Sequence, residues 1–176
     1  MKRLVLPLAA LLCLLIVQTG CSQEMKWSAV KTMIESAFPE VHQISTDSLA
    51  TRLADADAPR PLLFDTRNED EFAVSSLQGA IRLDPETTDF AFLDTLARDT
   101  PIITYCSVGY RSSEIADRMR KAGFTNVSNL EGSIFRWANE GRPIFREGAP
   151  VREVHPFDTV WGSLLNEDLH PKDDGG

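Results

Sequence analysis

The stretch Pro101-Ile102-Ile103-Thr104-Tyr105-Cys106-Ser107-Val108-Gly109-Tyr110-Arg111-Ser112-Ser113-Glu114 decides the architecture. An apolar, β-branched run ends in Cys106. A tight loop containing Gly109 follows, and then an arginine. From Ser112 to Ala122 the pattern becomes helical, with Ile115, Ala116, Met119 and Ala122 on one face. Glu114–Arg118 and Asp117–Lys121 are favourable i,i+4 pairs on the other face, and Gly123 marks the stop. The unit reads strand, loop, helix. Outward from it, Leu62-Leu63-Phe64 is a short buried strand ending at Asp65, and Val127 to Leu130 is another. Val41 to Ser45 and Gly79 to Leu83 are further strand candidates. Between them lie a helix through Leu49 and Leu53 with Thr46-Asp47 as N-cap, a helical turn at Asn68 to Phe72, a helix at Phe90 to Ala97, and a helix at Ser133 to Asn139 stopped by Gly141 and Pro143. Strands alternating with helices predict an α/β fold, with a mainly parallel sheet covered by helices on both faces.

The N-terminus is expected to be an export signal. Lys2 and Arg3 form a basic start, and Leu4 to Val17 gives 14 residues without charge, too short to span a bilayer comfortably. Thr19-Gly20 then precede Cys21. Residues 1–20 resemble a lipoprotein-type signal peptide, with Gln18 where an apolar residue is usual and with lipid-modified Cys21 as the first mature residue. That places the protein in a bacterial cell envelope, lipid-anchored and facing the periplasm; soluble periplasmic or secreted protein is the alternative. Ser22 to Pro39 reads as a tether and a helix carrying Ala29, Val30, Met33, Ile34 and Ala37 on one face. Residues 40–146 form the domain. Residues 147–176 form an extension that ends in a charged tail, expected to be partly disordered.

The net charge is −8, or −10 once Lys2 and Arg3 are removed. Such a surface argues against nucleic acid or an anionic membrane face as partner, leaving a lipid anchor as the only membrane contact. Of the three cysteines, Cys13 lies in the signal and Cys21 at the lipidation position. Cys106 is then a single thiol in an oxidising compartment, which points to chemistry rather than a disulfide framework. The histidines show no metal-ligand spacing.

Cys106 and Arg111 bracket four residues, giving C-x4-R. In an open parallel sheet ligands bind beyond the carboxyl ends of the strands, so Asp65 and Cys106 are expected to share one cleft. Gly109 allows a conformation that curls the loop, aiming the N–H groups of Ser107, Val108, Gly109, Tyr110, Arg111 and Ser112 at its centre. The helix N-terminus beyond adds positive potential, so the loop can cradle a thiolate, a persulfide anion or an oxyanion. Arg67 is expected to pair with Glu69 or Glu71. Asp65 either braces the loop or caps the helix after it. Val154-His155-Pro156-Phe157 with Val160-Trp161-Gly162 form an apolar patch that packs back on the domain or lines the cleft.

These motifs resemble the rhodanese family of sulfurtransferases. Leu62 to Arg67 is similar to its apolar strand ending in Asp-x-Arg. Glu71-Phe72 and Leu77-Gln78-Gly79-Ala80-Ile81 follow in order. Cys106 to Ser112 is similar to its Cys-x-x-Gly-x-Arg-Ser loop, and Gly123-Phe124, Val127, Leu130-x-Gly132, Trp137 and Gly141-x-Pro143 complete the likeness over about residues 40 to 146. The family often has His at the place of Ser76, Pro at Gln78 and a second Gly at Ser133. The resemblance implies a three-layer α/β/α domain whose Cys106 takes sulfane sulfur from a thiosulfate-like or persulfide donor and passes it to a thiol, free or on a protein, or to a cyanide-like acceptor. Ser107 to Ser112 would bind the anionic sulfur, Arg111 would orient the donor or brace the loop, and Asp65 with Arg67 would hold the loop's base. No metal or organic cofactor is implied. The loop lacks the Arg-Lys pair of thiosulfate-using members, which weighs against thiosulfate as the natural donor. Two other functions compete. A phosphatase of the related cell-cycle type would have C-x5-R, a loop one residue longer. A non-catalytic binding module of the same fold would tolerate loss of Cys106.

Overall fold

The structure, a computed structural model, describes residues 8–172, with the backbone alone described at 8–22. The signal peptide expected over 1–20, the lipid-modified Cys21 and the end of the tail from 173 lie outside the residues whose side chains are described. Helix α1 (Leu8–Ala37) runs without a break through the segment read as a tether. Among the described residues no helix is long and apolar enough to cross a membrane.

The elements then follow in order: β1 (His42–Ile44), α2 (Thr46–Ala54), β2 (Leu62–Asp65), α3 (Glu69–Val74), β3 (Ile81–Arg82), β4 (Ile102–Tyr105), α4 (Tyr110–Lys121), β5 (Val127–Leu130) and α5 (Ser133–Asn139). The strands form one sheet in the order β1-β5-β4-β2-β3, with every pairing parallel. β4 therefore lies at the centre, with Leu62 to Asp65 of β2 in register with Ile102 to Tyr105. All four β4 residues are buried, as expected of a strand covered on both faces.

Strand alternation distributes the core. Leu63, Ile103, Tyr105 and Leu130 face one layer with Leu49, Ile134, Phe135 and Trp137 of α2 and α5. Phe64, Ile102 and Val127 face the other, against Ile115, Ala116 and Met119 of α4. Period two in the strands and 3.6 in the helices is what makes the three layers. Thr104 contributes a hydroxyl instead, donating to the Ser112 carbonyl at 2.9 Å and tying α4 to the central strand.

Several local expectations need correction. The N-cap of α2 is Ser45, whose hydroxyl accepts from the Ser48 N–H, not Thr46-Asp47. Phe90 to Ala97 holds only a 3-10 turn at Ala91–Leu93, with Phe90 and Leu93 buried. The buried stripe of α1 is Trp27, Val30 and Ile34, so Met33 and Ala37 face outward. The extension is folded through residue 172. Its β7 (Ala149–Val151) forms a hairpin with β6 (Ile144–Arg146) at the end of the domain, and a short helix, α6 (Thr159–Gly162), follows. Glu147 and Gly148, both at positive φ, form the hairpin's turn. Val154, Leu164, Leu165 and Leu169 return to the core, and Val154 N–H donates to the Leu169 carbonyl. His170 is half-buried with its Nε2 enclosed.

Candidate active site

Cys106 is the first residue beyond β4 and is 1% exposed. Its own N–H donates to Ser133 Oγ at 3.1 Å, and that hydroxyl donates on to the Leu130 carbonyl at 3.1 Å. The carbonyls of Cys106 and Ser107 accept from the N–H groups of Ile134 and Phe135. The start of α5 thus clamps the backbone under the thiol. Ser133 takes φ 50, a region that favours glycine. The serine hydroxyl satisfies a buried N–H.

Past Cys106 the chain turns sharply through Gly109 at φ 116, the N-cap of α4. Its N–H donates to Cys106 Sγ at 3.1 Å. A Cβ at Gly109 would stand 3.2 Å from both Asn129 Nδ2 and Ile34 Cδ1, so the turn is packed from two sides. The N–H groups of Tyr110, Arg111 and Ser112 belong to the first helical turn and have no partner four residues back. They belong to the positive end of a 12-residue helix that starts four residues after Cys106.

Arg111 is a brace. Its guanidinium meets Glu71 in two parallel bonds of 2.8 Å and touches Ser107 Oγ at 3.0 Å. Ser107 in turn donates to Glu71 at 2.7 Å. Burial would raise the Glu71 pKa, but the hydrogen bonds from Arg111 and Ser107 outweigh it and hold the carboxyl below its ordinary range. For Arg111 burial works against the charge, and the Glu71 bonds raise its pKa despite it. Glu71 also caps α3, accepting from the Asn68 N–H at 3.1 Å. It was not singled out as Arg111's partner, because nothing in the spacing links residues 40 apart.

Arg67 does not pair with Glu69 or Glu71. It pairs with Asp65 in bonds of 2.8 and 2.6 Å, both side chains fully enclosed. Nor does Asp65 cap α3, whose N-cap is Asn68. Burial alone would lower the Arg67 pKa, and the adjacent carboxylate more than reverses this. Arg67 also donates to the Ser75 carbonyl, and Tyr105 Oη accepts from the Leu77 N–H at 3.0 Å. Asp65, Arg67 and Tyr105 thereby fix the segment carrying Glu71. Burial, reinforced by Asp65, pushes the Tyr105 phenol well above its usual pKa. Asp65 does not share the cleft with Cys106, because its side chain is consumed beneath the loop.

The cleft over Cys106 has a volume of about 390 Å³. Its floor is the loop from Cys106 to Val108 with Tyr110 and Arg111. One wall is Met33 and Ala37 of α1; the other is Phe157 and Trp161 of the extension. The apolar patch beyond the core therefore does both things expected of it: Val154 packs inward and Phe157 with Trp161 line the cleft. Met33 and Ala37 were expected on one face of α1 with Val30 and Ile34; they line the cleft instead. Among the described residues no cluster of three or more His, Cys, Asp and Glu side chains is placed to hold a metal ion.

Residues 45–140 match the Rhodanese-like domain family. A protein of Allochromatium vinosum named a sulfurtransferase is 32% identical over 104 residues, covering 59% of this chain and 94% of that protein. A tRNA uridine(34) hydroxylase of Enterobacter sp. is 29% identical over 125 residues, 64% of this chain but only 34% of that enzyme. A rhodanese-like domain protein of Staphylococcus aureus superposes with a TM-score of 0.52 at 21% identity, over 61% of this chain and 99% of that one; the likeness is one of fold.

Proposed function

The chain belongs to the rhodanese-like domain family, and we propose that it is a sulfurtransferase carrying sulfane sulfur as a persulfide on Cys106. The observation that carries this reading is the Cys106 sulfur itself, at the floor of a cleft, receiving the Gly109 N–H at 3.1 Å within a C-x4-R loop. In the first step the Cys106 thiolate attacks the outer sulfur of the donor. The donor's S–S bond breaks and its remainder leaves with the electron pair. In the second step a nucleophile such as a thiolate or cyanide attacks the outer sulfur of the persulfide, and Cys106 departs as thiolate. One transfer becomes two substitutions, with no net oxidation. The first N–H groups of α4 and that of Gly109 stabilise the anionic sulfur throughout. Arg111, bound to Glu71, holds the loop in the conformation that presents them. Neither step needs a metal or organic cofactor.

The test is thiocyanate release from a sulfane sulfur donor and cyanide, with Cys106→Ser as control. Release that the serine variant abolishes supports the reading, and equal rates in both refute it. Envelope placement through Cys21 is part of the same proposal, supported by the basic start, the apolar run and Thr19-Gly20-Cys21. Radiolabelled palmitate should label the protein and not its Cys21→Ala variant; unlabelled native protein would refute that part.

A further inference from the structure

Taking the persulfide reading as its premise, we infer that the cleft selects a small organic sulfur donor with an uncharged, apolar body, and that Met33, Phe157 and Trp161 set this preference. The argument begins with charge. Among the described residues, Arg111 is the one charged side chain lining the cleft. Both its terminal nitrogens bond to Glu71, and the Phe157 ring covers its guanidinium at 4.6 Å from the ring centre. The loop N–H groups suit the single negative charge on a transferring sulfur. Among the described lining residues no uncommitted cation remains for a second charge on the donor's other end, and a desolvated unpaired charge is costly.

Size and surface agree. About 390 Å³ lies within the range of small-molecule sites and far exceeds the sulfite portion of thiosulfate. The walls carry a thioether and two aromatic rings, and the floor adds the Tyr110 ring. Met33, Tyr110 and Phe157 are each about 40% exposed, a concentration of apolar surface around one thiol. Tyr110 is fixed edge-on by Phe38 at 5.2 Å.

Phe157 is held in place at a conformational cost. It takes φ 67, uncommon for a bulky residue, at the centre of a tight turn closed by the Asp158 N–H on the Pro156 carbonyl. Its own N–H donates to His155 Nδ1 at 3.0 Å. A strained backbone that keeps a ring over the arginine of the active loop points to function. Met33, Phe157 and Trp161 all lie outside residues 45–140. The selective walls therefore come from segments flanking the matched family domain.

In the transfer itself, the Cys106 thiolate attacks the terminal sulfur of R–S–S⁻, the S–S bond breaks, and RS⁻ leaves with the electron pair through the open mouth of the cleft to water. Three probes share a transferable terminal sulfur and differ in body and charge: thiosulfate, methanethiosulfonate and benzenethiosulfonate. From each of these the leaving group is sulfite or the sulfinate. With cyanide as acceptor, kcat/KM is read for each donor. The benzene-to-methane ratio should fall about tenfold in Trp161→Ala and Met33→Ala, and largely recover in Trp161→Phe, because the lost contact is apolar. Met33 projects from the outer side of α1, so its truncation leaves the buried stripe intact. Met33→Lys should shift preference several-fold toward thiosulfate. A ratio unmoved by all these variants, with persulfide still forming on Cys106, overturns the cleft inference alone. If none of the three donors forms a persulfide, the sulfur-transfer reading fails and this inference with it.

Discussion

Replacing Glu71 by glutamine should destabilise the protein by about 3 kcal/mol at pH 7. The carboxylate is 1% exposed, and each of its oxygens accepts two hydrogen bonds. Oε1 takes Arg111 and Ser107; Oε2 takes the second Arg111 nitrogen and the Asn68 N–H. Glutamine keeps one oxygen and its pair of bonds. Its amide group would then face two donors with a donor of its own. Two lost bonds, at about 1.5 kcal/mol each for bonds to a charged group, give the figure. Arg111 is 23% exposed, so its charge is only partly relieved by solvent. The assay is urea unfolding of both proteins, with the slope checked for equality. The pH dependence has a definite sign. Because the folded protein holds the Glu71 pKa below its ordinary value, the contribution is complete above about pH 5, where glutamates of the unfolded chain are ionised, and is lost as pH falls through the lower folded value. The gap between the two proteins should therefore close on acidification. A difference under about 1 kcal/mol at pH 7, or a gap that persists after full protonation, would refute the clasp.

Three further outcomes follow from the same geometry. Gly109→Ala should cost about 1–3 kcal/mol by thermal or urea unfolding and slow persulfide formation, because φ 116 is strained for alanine and its Cβ meets Asn129 and Ile34 at 3.2 Å. Tyr105→Phe should cost about 1–2 kcal/mol in urea unfolding, since the buried Leu77 N–H loses its acceptor. Ser133→Ala should cost a similar 1–2 kcal/mol by leaving the Cys106 N–H unpaired, and stopped-flow sulfur transfer should slow with it.

The fold was legible because its signals are local and periodic. Ile102 to Tyr105 and Leu62 to Asp65 are runs that only a doubly covered strand buries, and α4 has a clean apolar face with a glycine at each end. The cysteine loop was legible for the same reason, being contiguous. What escaped the sequence is pairing at a distance. Asp65 could have served several partners, and only the folded geometry puts Arg67 against it and Glu71 against Arg111. Phe157 and Trp161 read as an apolar patch with two possible destinations, and Val154, three residues from Phe157, took the other one. At Phe90 to Ala97 the apolar spacing suggested a helix, but the segment makes only the 3-10 turn at Ala91–Leu93, with Phe90 and Leu93 buried and Leu96 partly so.

The central claim is covalent: sulfur rides on Cys106. Intact mass of the reduced protein, taken before and after a sulfane sulfur donor and again after cyanide, tests it most directly. The account predicts a gain of one sulfur atom, absent in Cys106→Ser and reversed by cyanide with release of thiocyanate. An unchanged mass with thiosulfate, thiosulfonates and organic persulfides alike, on a thiol shown to be reduced, would contradict it.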